Sequence, residues 1–295
     1  VNAFPHLEIV SEPLWHPESP EMLPDGGLLF AETDSGRICV LYPDLLATFA
    51  VPGGRPYGVL LGSDGRYYVA QSGHLDPNRC APRSVPPSLQ RISADGTEVE
   101  VLTTTADGVD FTAPNSLTWS ADGMLYMTDS GHWDPDTRSD RGYLYAVRAD
   151  HSAHVVADLG HTFPNGVVVE ADGSVVWVES YTGRVGRLRR DGSTEHVTTL
   201  PDGHTPEAVK VDSAGNLWIA NFEGGGIDVI ARDGTPLEHI TVGGVPINFL
   251  IHDGWLYVVD FGLTATEDEF GYRPGRIVRL RSDHTMAPVI RGRLD

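Results

Sequence analysis

Apolar positions along this chain fall in short runs, each opened by a proline with a polar or aromatic residue close behind it and broken by a Gly-bearing turn. The unit reads Pro56-Tyr-Gly-Val-Leu-Leu-Gly-Ser-Asp-Gly65-Arg-Tyr-Tyr-Val-Ala70, then Pro114-Asn-Ser-Leu-Thr-Trp-Ser-Ala-Asp-Gly123-Met-Leu-Tyr-Met-Thr128. It returns at Pro164-Asn-Gly-Val-Val-Val, at Pro206-Glu-Ala-Val-Lys-Val and, shortened, at Pro246-Ile-Asn-Phe-Leu-Ile. A stretched first copy runs from Glu12-Pro-Leu-Trp15 to Asp25-Gly-Gly-Leu-Leu-Phe30. Repeats of short strands recurring at about 40 to 50 residues predict a β-propeller, and six copies predict six blades.

Each copy divides into four antiparallel strands. In the third, Asn115–Ser120, Met124–Asp129, Gly142–Arg148 and Ala153–Asp158 are strand-like, with Asp122-Gly123 as a tight hairpin signal. In the fourth they are Gly166–Glu170, Val175–Glu179, Arg184–Arg190 and Glu195–Leu200. Strand-like segments at His6–Val10, Ile277–Arg281 and Pro288–Arg291 predict a last blade shared by both chain ends, which leaves no open sheet edge. One blade cannot bury both faces of its sheet, so residues 1–295 are expected to form a single all-β propeller domain.

Composition narrows the partners. The formal net charge is −20, which disfavours nucleic acid or an anionic membrane, since both select a basic footprint. No apolar run reaches the roughly 20 residues of a membrane helix. The two cysteines, Cys39 and Cys80, suggest neither a disulfide framework nor a thiolate zinc site. No leader is visible at Val1-Asn-Ala-Phe-Pro, and cytoplasmic residence is expected. The expected partner is a small-molecule substrate.

In a propeller the first strand of each blade lines the central channel, so the residues opening those strands converge at one mouth. They are Glu12, Tyr57, Asn115, Asn165, Glu207 and Asn248. Any one of them also reads as turn punctuation capping local backbone. Together, two carboxylates and two amides at a narrow channel make an all-oxygen set. Without a cation the carboxylates repel; with one they suit Ca²⁺, then Mg²⁺ or Mn²⁺, ahead of Zn²⁺. Long connections at Ser72–Pro87, Gly131–Arg141 and Gly262–Pro274 surround the same mouth. His74 and His132, in the matched Gln71-Ser-Gly-His and Asp129-Ser-Gly-His segments, are candidate proton carriers, each also readable as an exposed turn residue. Tyr57, Trp133, Tyr181, Phe222 and Phe261 are candidate pocket walls.

With its six copies, Glu-Pro-Leu-Trp opening, Pro114-Asn115 and Pro164-Asn165-Gly166, the chain resembles the regucalcin/gluconolactonase family of six-bladed propellers over essentially its whole length. The resemblance implies one axial metal ion held by a first-blade Glu, two Asn and an Asp. These carry over to Glu12, Asn115, Asn165 and, by position, Glu207. It further implies a metal-dependent lactonase with Glu207 as general base. Three departures stand out: Glu207 replaces the shorter Asp, Ser116 stands where many relatives have Asp, and Ala113 replaces an Arg that holds sugar hydroxyls. A hydrophobic lactone is therefore expected over gluconolactone. Related scaffolds leave organophosphate hydrolysis and metal-free strictosidine-synthase-like chemistry as alternatives, with a non-enzymatic binding propeller behind them. No Gly-x-Ser-x-Gly elbow, His-Glu-x-x-His, phosphate loop or dinucleotide fingerprint occurs.

Overall fold

A computed structural model describes residues 7–73, 85–262 and 274–295. The first strand, β1 (Glu8–Leu14), does not open the first blade. That blade is β2 (Pro17–Met22), β3 (Leu28–Glu32), β4 (Arg37–Tyr42) and β5 (Leu45–Ala50), with a 3-10 turn at Thr33–Ser35. The second is β6 (Pro56–Leu61), β7 (Tyr67–Gln71), β8 (Ser88–Ile92) and β9 (Val99–Thr103). A small hairpin, β10 (Thr105–Ala106) and β11 (Val109–Asp110), precedes the third: β12 (Pro114–Trp119), β13 (Leu125–Asp129), β14 (Gly142–Val147) and β15 (Ala153–Gly160). The fourth is β16 (Pro164–Val169), β17 (Val175–Glu179), β18 (Arg184–Leu188) and β19 (Thr194–Thr199). The fifth is β20 (Pro206–Val211), β21 (Leu217–Asn221), β22 (Gly226–Ile230) and β23 (Pro236–Thr241). In the sixth, β24 (Pro246–His252), β25 (Trp255–Asp260) and β26 (Gly275–Arg281) are completed by β1, which pairs antiparallel with β26. The six-bladed, four-stranded, end-closed ring expected from the repeats is thus the observed fold.

The core lies between blades. Six apolar clusters among the described residues correspond to the six seams, such as Trp119, Tyr145 and Met127 against Tyr68 and Leu89 between the second and third blades. Small hydroxyls tie the seams near the mouth. Thr33, Ser72, Ser130 and Ser180 each donate to the carbonyl of the next blade's opening proline, Pro56, Pro114, Pro164 and Pro206, at 2.6–2.9 Å. Each follows a buried polar residue at the end of a second strand. Two of these, Gln71 and Asp129, accept backbone N–H groups from the incoming connection (Arg55 N at 2.6 Å; Ala113 N at 2.7 Å). The Gln71-Ser72 and Asp129-Ser130 pairs therefore build the seam, because buried backbone donors need partners.

Pro288–Arg291 does not form a strand. The C-terminal segment runs across the end of the channel opposite the proline-led mouth. It bonds to the fifth blade through Ala287 N to Val211 O (3.0 Å), to the second through Ser63 N to Gly292 O (2.7 Å), and to the third through Asp295 N to Ala149 O (2.8 Å). Met286–Ile290 and the far halves of the inner strands enclose an axial cavity of about 200 Å³. Among the described residues no helix is long and apolar enough to cross a membrane.

Candidate functional site

Five of the six inner strands carry a β-bulge just after the opening proline. In β12, Pro114 pairs with Asp129 but Leu117 pairs with Met127, so Asn115 and Ser116 together face Thr128. The same shift occurs after Pro56, Pro164 and Pro206, a shorter one follows Pro246, and in β2 the bulge falls between Glu18 and Glu21. A bulge re-aims a side chain and sharpens the local twist. The residue after the polar one is small where strands meet. A Cβ on Gly58 would lie 2.7 Å from Asn115 O, and one on Gly166 would lie 2.6 Å from Glu207 O. Ser116 and Ala208 hold the matching positions, so the Ser116 departure follows the same small-residue rule at the strand contact.

In the first blade this rule places Glu18, not Glu12, at the mouth. Glu12 is exposed on β1, the outermost strand of the sixth blade, remote from the channel-lining strand of the first. Pro17 pairs with Glu32 as Pro114 pairs with Asp129, and Glu18 follows it, buried. The hydrophobic pattern missed β2 because Pro-Glu-Ser-Pro-Glu-Met contains no apolar run.

Glu18, Asn165 and Glu207 come together. The Asn165 amide nitrogen donates to Glu207 Oε2 (2.5 Å) and Ser180 Oγ (3.2 Å), and Asn248 Nδ2 approaches Glu18 Oε2 at 3.4 Å. Asn115 holds the equivalent position on β12. Burial, then the facing Glu18 carboxylate, push Glu207 well above the usual carboxylate range, against the pull of the Asn165 hydrogen bond. Among the described residues no Lys or Arg forms an ion pair with Glu18 or Glu207. A buried and a half-buried carboxylate with amide neighbours and no such partner form an under-neutralised oxygen set, which suits a hard divalent cation. Glu18, Asn115, Asn165 and Glu207 are the residues that could hold it.

The mouth has two aromatic sides. On one, Trp133, Phe163 and Tyr181 stack within 4.9–5.1 Å of one another, with Trp133 half-exposed and Tyr181 Oη accepting from Asp134 N. On the other, Phe261 packs edge-on to His16 at 4.4 Å and near Phe222 at 5.7 Å, and Tyr57 meets His16 at 5.4 Å. Burial pushes the Tyr57 hydroxyl up, so it stays a hydrogen-bond donor beside the carboxylates. His132 stands apart: its ring is 71% exposed and paired with Asp140 at 2.7 Å. His74 lies outside the described residues.

His16 was missed by the sequence reading. Its ring is 10% exposed, 3.7 Å from Glu18 and 3.6 Å from Asp34, and Asp34 also binds Arg55 at 3.0 Å. The residues directly before the opening prolines, His16, Arg55, Ala113, Phe163, Thr205 and Val245, were the available signal. They place a polar arc on one side of the mouth and smaller or apolar groups opposite.

Fold and site geometry together define a six-bladed propeller with a carboxylate–amide ring at one end of its axis. The chain belongs to the SMP-30/gluconolactonase/LRE-like family, whose profile matches residues 13–258. The Arabidopsis thaliana protein strictosidine synthase-like 6 is 28% identical over 189 residues, 61% of this chain and 46% of that protein. This chain therefore spans less than half the length of that relative. Lactonase drp35 of Staphylococcus saprophyticus is 25% identical over 233 residues, 74% of this chain and 67% of that protein. A luciferin-regenerating enzyme of known structure superposes with a TM-score of 0.79 at 17% identity, over 98% of this chain and 99% of that one, a likeness of fold.

Proposed function

We propose that this protein hydrolyses a lactone or related ester at the channel mouth, with a divalent cation held by Glu18, Asn115, Asn165 and Glu207. The observation carrying the proposal is the Glu18–Glu207 pair, Glu18 buried and Glu207 half-buried, with which no lysine or arginine forms an ion pair among the described residues. A hard cation such as Ca²⁺ bound there would polarise the ester carbonyl as a Lewis acid. Glu207, relieved of the repulsion that otherwise favours its proton, takes a proton from the attacking water. The Tyr57 hydroxyl donates a hydrogen bond to the carbonyl or the departing oxygen. His16, beside Glu18, is the alternative proton acceptor.

The walls choose the substrate. Trp133, Phe163 and Tyr181 offer an apolar face, Ala113 offers no guanidinium, and Arg55 is already bonded to Asp34. An apolar or aryl lactone should exceed gluconolactone in kcat/KM by at least about tenfold, roughly 1.4 kcal/mol. The test pairs metal analysis of purified protein with a screen of alkyl and aryl lactones, gluconolactone, aryl esters and phosphotriesters. About one divalent ion per chain and chelator-sensitive turnover of apolar lactones are expected. A metal-loaded protein inert towards every ester would refute the reading. Activity unchanged by chelation would move it to the metal-free class.

A further inference from the structure

Away from the axis, at the seam between the fourth and fifth blades, three side chains converge that the axial site does not use. His204 lies in the connection leading into β20, Asp228 on β22 and His239 on β23, directly across the ladder from Asp228. His204 Nδ1 lies 2.8 Å from Asp228 Oδ2, and His239 Nδ1 lies 2.7 Å from Asp228 Oδ1. One ligand atom from each residue lies within 4.8 Å of the other two. We propose that His204, Asp228 and His239 form a second metal site, selective for a borderline transition-metal ion of the Zn²⁺ class.

The chemistry separates this site from the axial one. Two imidazoles and a carboxylate match Zn²⁺ in preference to Ca²⁺, whose ligands are all oxygen. Tetrahedral Zn–N and Zn–O bonds of about 2.0–2.2 Å set ligand atoms roughly 3.3–3.6 Å apart, so the two imidazole–carboxylate contacts, now made to different oxygens of Asp228, would open by about half an ångström as the ion entered between them. Three protein ligands leave a fourth position for water. Partial exposure of the rings, 23% for His204 and 32% for His239, gives an entry path, while the Asp228 side chain stays 10% exposed.

Supporting contacts hold the set. Asn221, fully buried, donates from Nδ2 to Asp228 Oδ2 (2.5 Å), and its own Oδ1 accepts from Gly224 N (3.2 Å). Such outer contacts orient a ligating carboxylate. Gly226 leaves room for the His239 ring, because a Cβ there would lie 2.6 Å from Nε2. Other seam carboxylates take arginine instead: Glu170 pairs with Arg187 and Arg232, and Asp260 with Arg276. Asp228 faces two imidazoles that can exchange Nδ1 protons for a metal. An ion there would pin the connection that delivers Glu207 to the mouth.

The test uses the full chain, stripped with chelator and then saturated with Ca²⁺, and titrated with Zn²⁺ by calorimetry and with Co²⁺ by visible absorption. The wild type should bind one Zn²⁺ and give the intense d–d bands of a low-coordinate Co²⁺ site. His239→Ala and His204→Ala should each weaken Zn²⁺ at least about tenfold and remove the Co²⁺ bands. Glu18→Gln should keep both signals, which separates this site from the axial ring. His239 is on the outer strand, so its variant tests the site even if Asp228→Asn fails to fold. No Zn²⁺ uptake by Ca²⁺-saturated wild type, or unchanged binding in both histidine variants, would overturn the proposal.

Discussion

Glu18 and Glu21 sit on the same inner strand, both buried, yet the protein treats them in opposite ways. Glu21 faces the far end of the channel, where Arg291 reaches it at 2.6 Å from the C-terminal segment and Leu61 N donates at 2.9 Å. Lys210, half-buried on the channel-lining strand of the fifth blade, adds a further positive charge. Glu18 faces the mouth, where its direct neighbours are His16, an amide and another carboxylate, and Lys210 acts on it without forming an ion pair. Where a buried carboxylate only closes the channel, the chain supplies its own cation. At the mouth it supplies amides and aromatic walls, and leaves the charge for a ligand to complete.

Neutralising the mouth glutamate of that comparison should produce the largest effect. Glu18→Gln removes one neutralising charge from the oxygen set, and kcat/KM on the best ester should fall about 10²-fold, roughly 2.7 kcal/mol. Glu12→Gln, on the exposed outer strand, should change neither activity nor metal content. Measuring both variants side by side decides between them. Loss in Glu12→Gln with Glu18→Gln intact would restore the sequence-based ligand and break the contrast.

That contrast also shows where the sequence was legible. Asn115, Asn165 and Glu207 could be placed because each follows a proline and precedes an apolar run that reads as a strand. Glu18 could not, because β2 lines the channel with Pro-Glu-Ser-Pro-Glu-Met and Glu21 finds its partner in Arg291, far along the chain. A strand buried by charge pairing has no hydrophobic signature. The pattern therefore settled on the nearby Glu12-Pro-Leu-Trp. Ring closure was readable from the ends, but Pro288–Arg291 looked strand-like when its apolar residues in fact line the axial cavity. His16 was invisible for a different reason: its significance depends on Asp34, Tyr57 and Phe261, which three other connections and strand ends bring to it.

The far end offers the second way to sharpen the comparison. Arg291→Met should strand Glu21 in the channel and destabilise the fold by about 2 kcal/mol, less than for a fully buried pair because Arg291 is 27% exposed and Lys210 remains. Ester turnover at the mouth should stay at the wild-type level. Adding Glu21→Gln should recover part of the loss, since the uncompensated charge is then gone. Guanidinium titrations of the two single variants and the double variant measure the coupling. No coupling would mean that Glu21 is satisfied by Leu61 N and Lys210 alone, and that the two ends differ less than their ion pairs suggest.

The smallest effect is the most specific to the mouth. Burial and Glu18 raise Glu207, so the folded state without cation binds its proton at pH values where the unfolded chain has released it. For a carboxylate shifted in this direction, stability is highest at or below the ordinary carboxylate range and falls as pH rises through the folded pKa. Glu21, raised chiefly by its burial, contributes the same sign whether or not the mouth holds a cation. A cation at the mouth cancels only the Glu207 part. The melting temperature of chelated protein should therefore decline, as pH rises above the ordinary carboxylate range, more steeply than that of Ca²⁺-loaded protein. One proton limits the difference to about 1.4 kcal/mol per pH unit. Glu207→Gln, which cannot ionise, should flatten the chelated curve while leaving the slope due to Glu21. Parallel curves for chelated and Ca²⁺-loaded protein would mean that no cation meets Glu207, and the mouth would then have to hold its two carboxylates by sharing a proton between them.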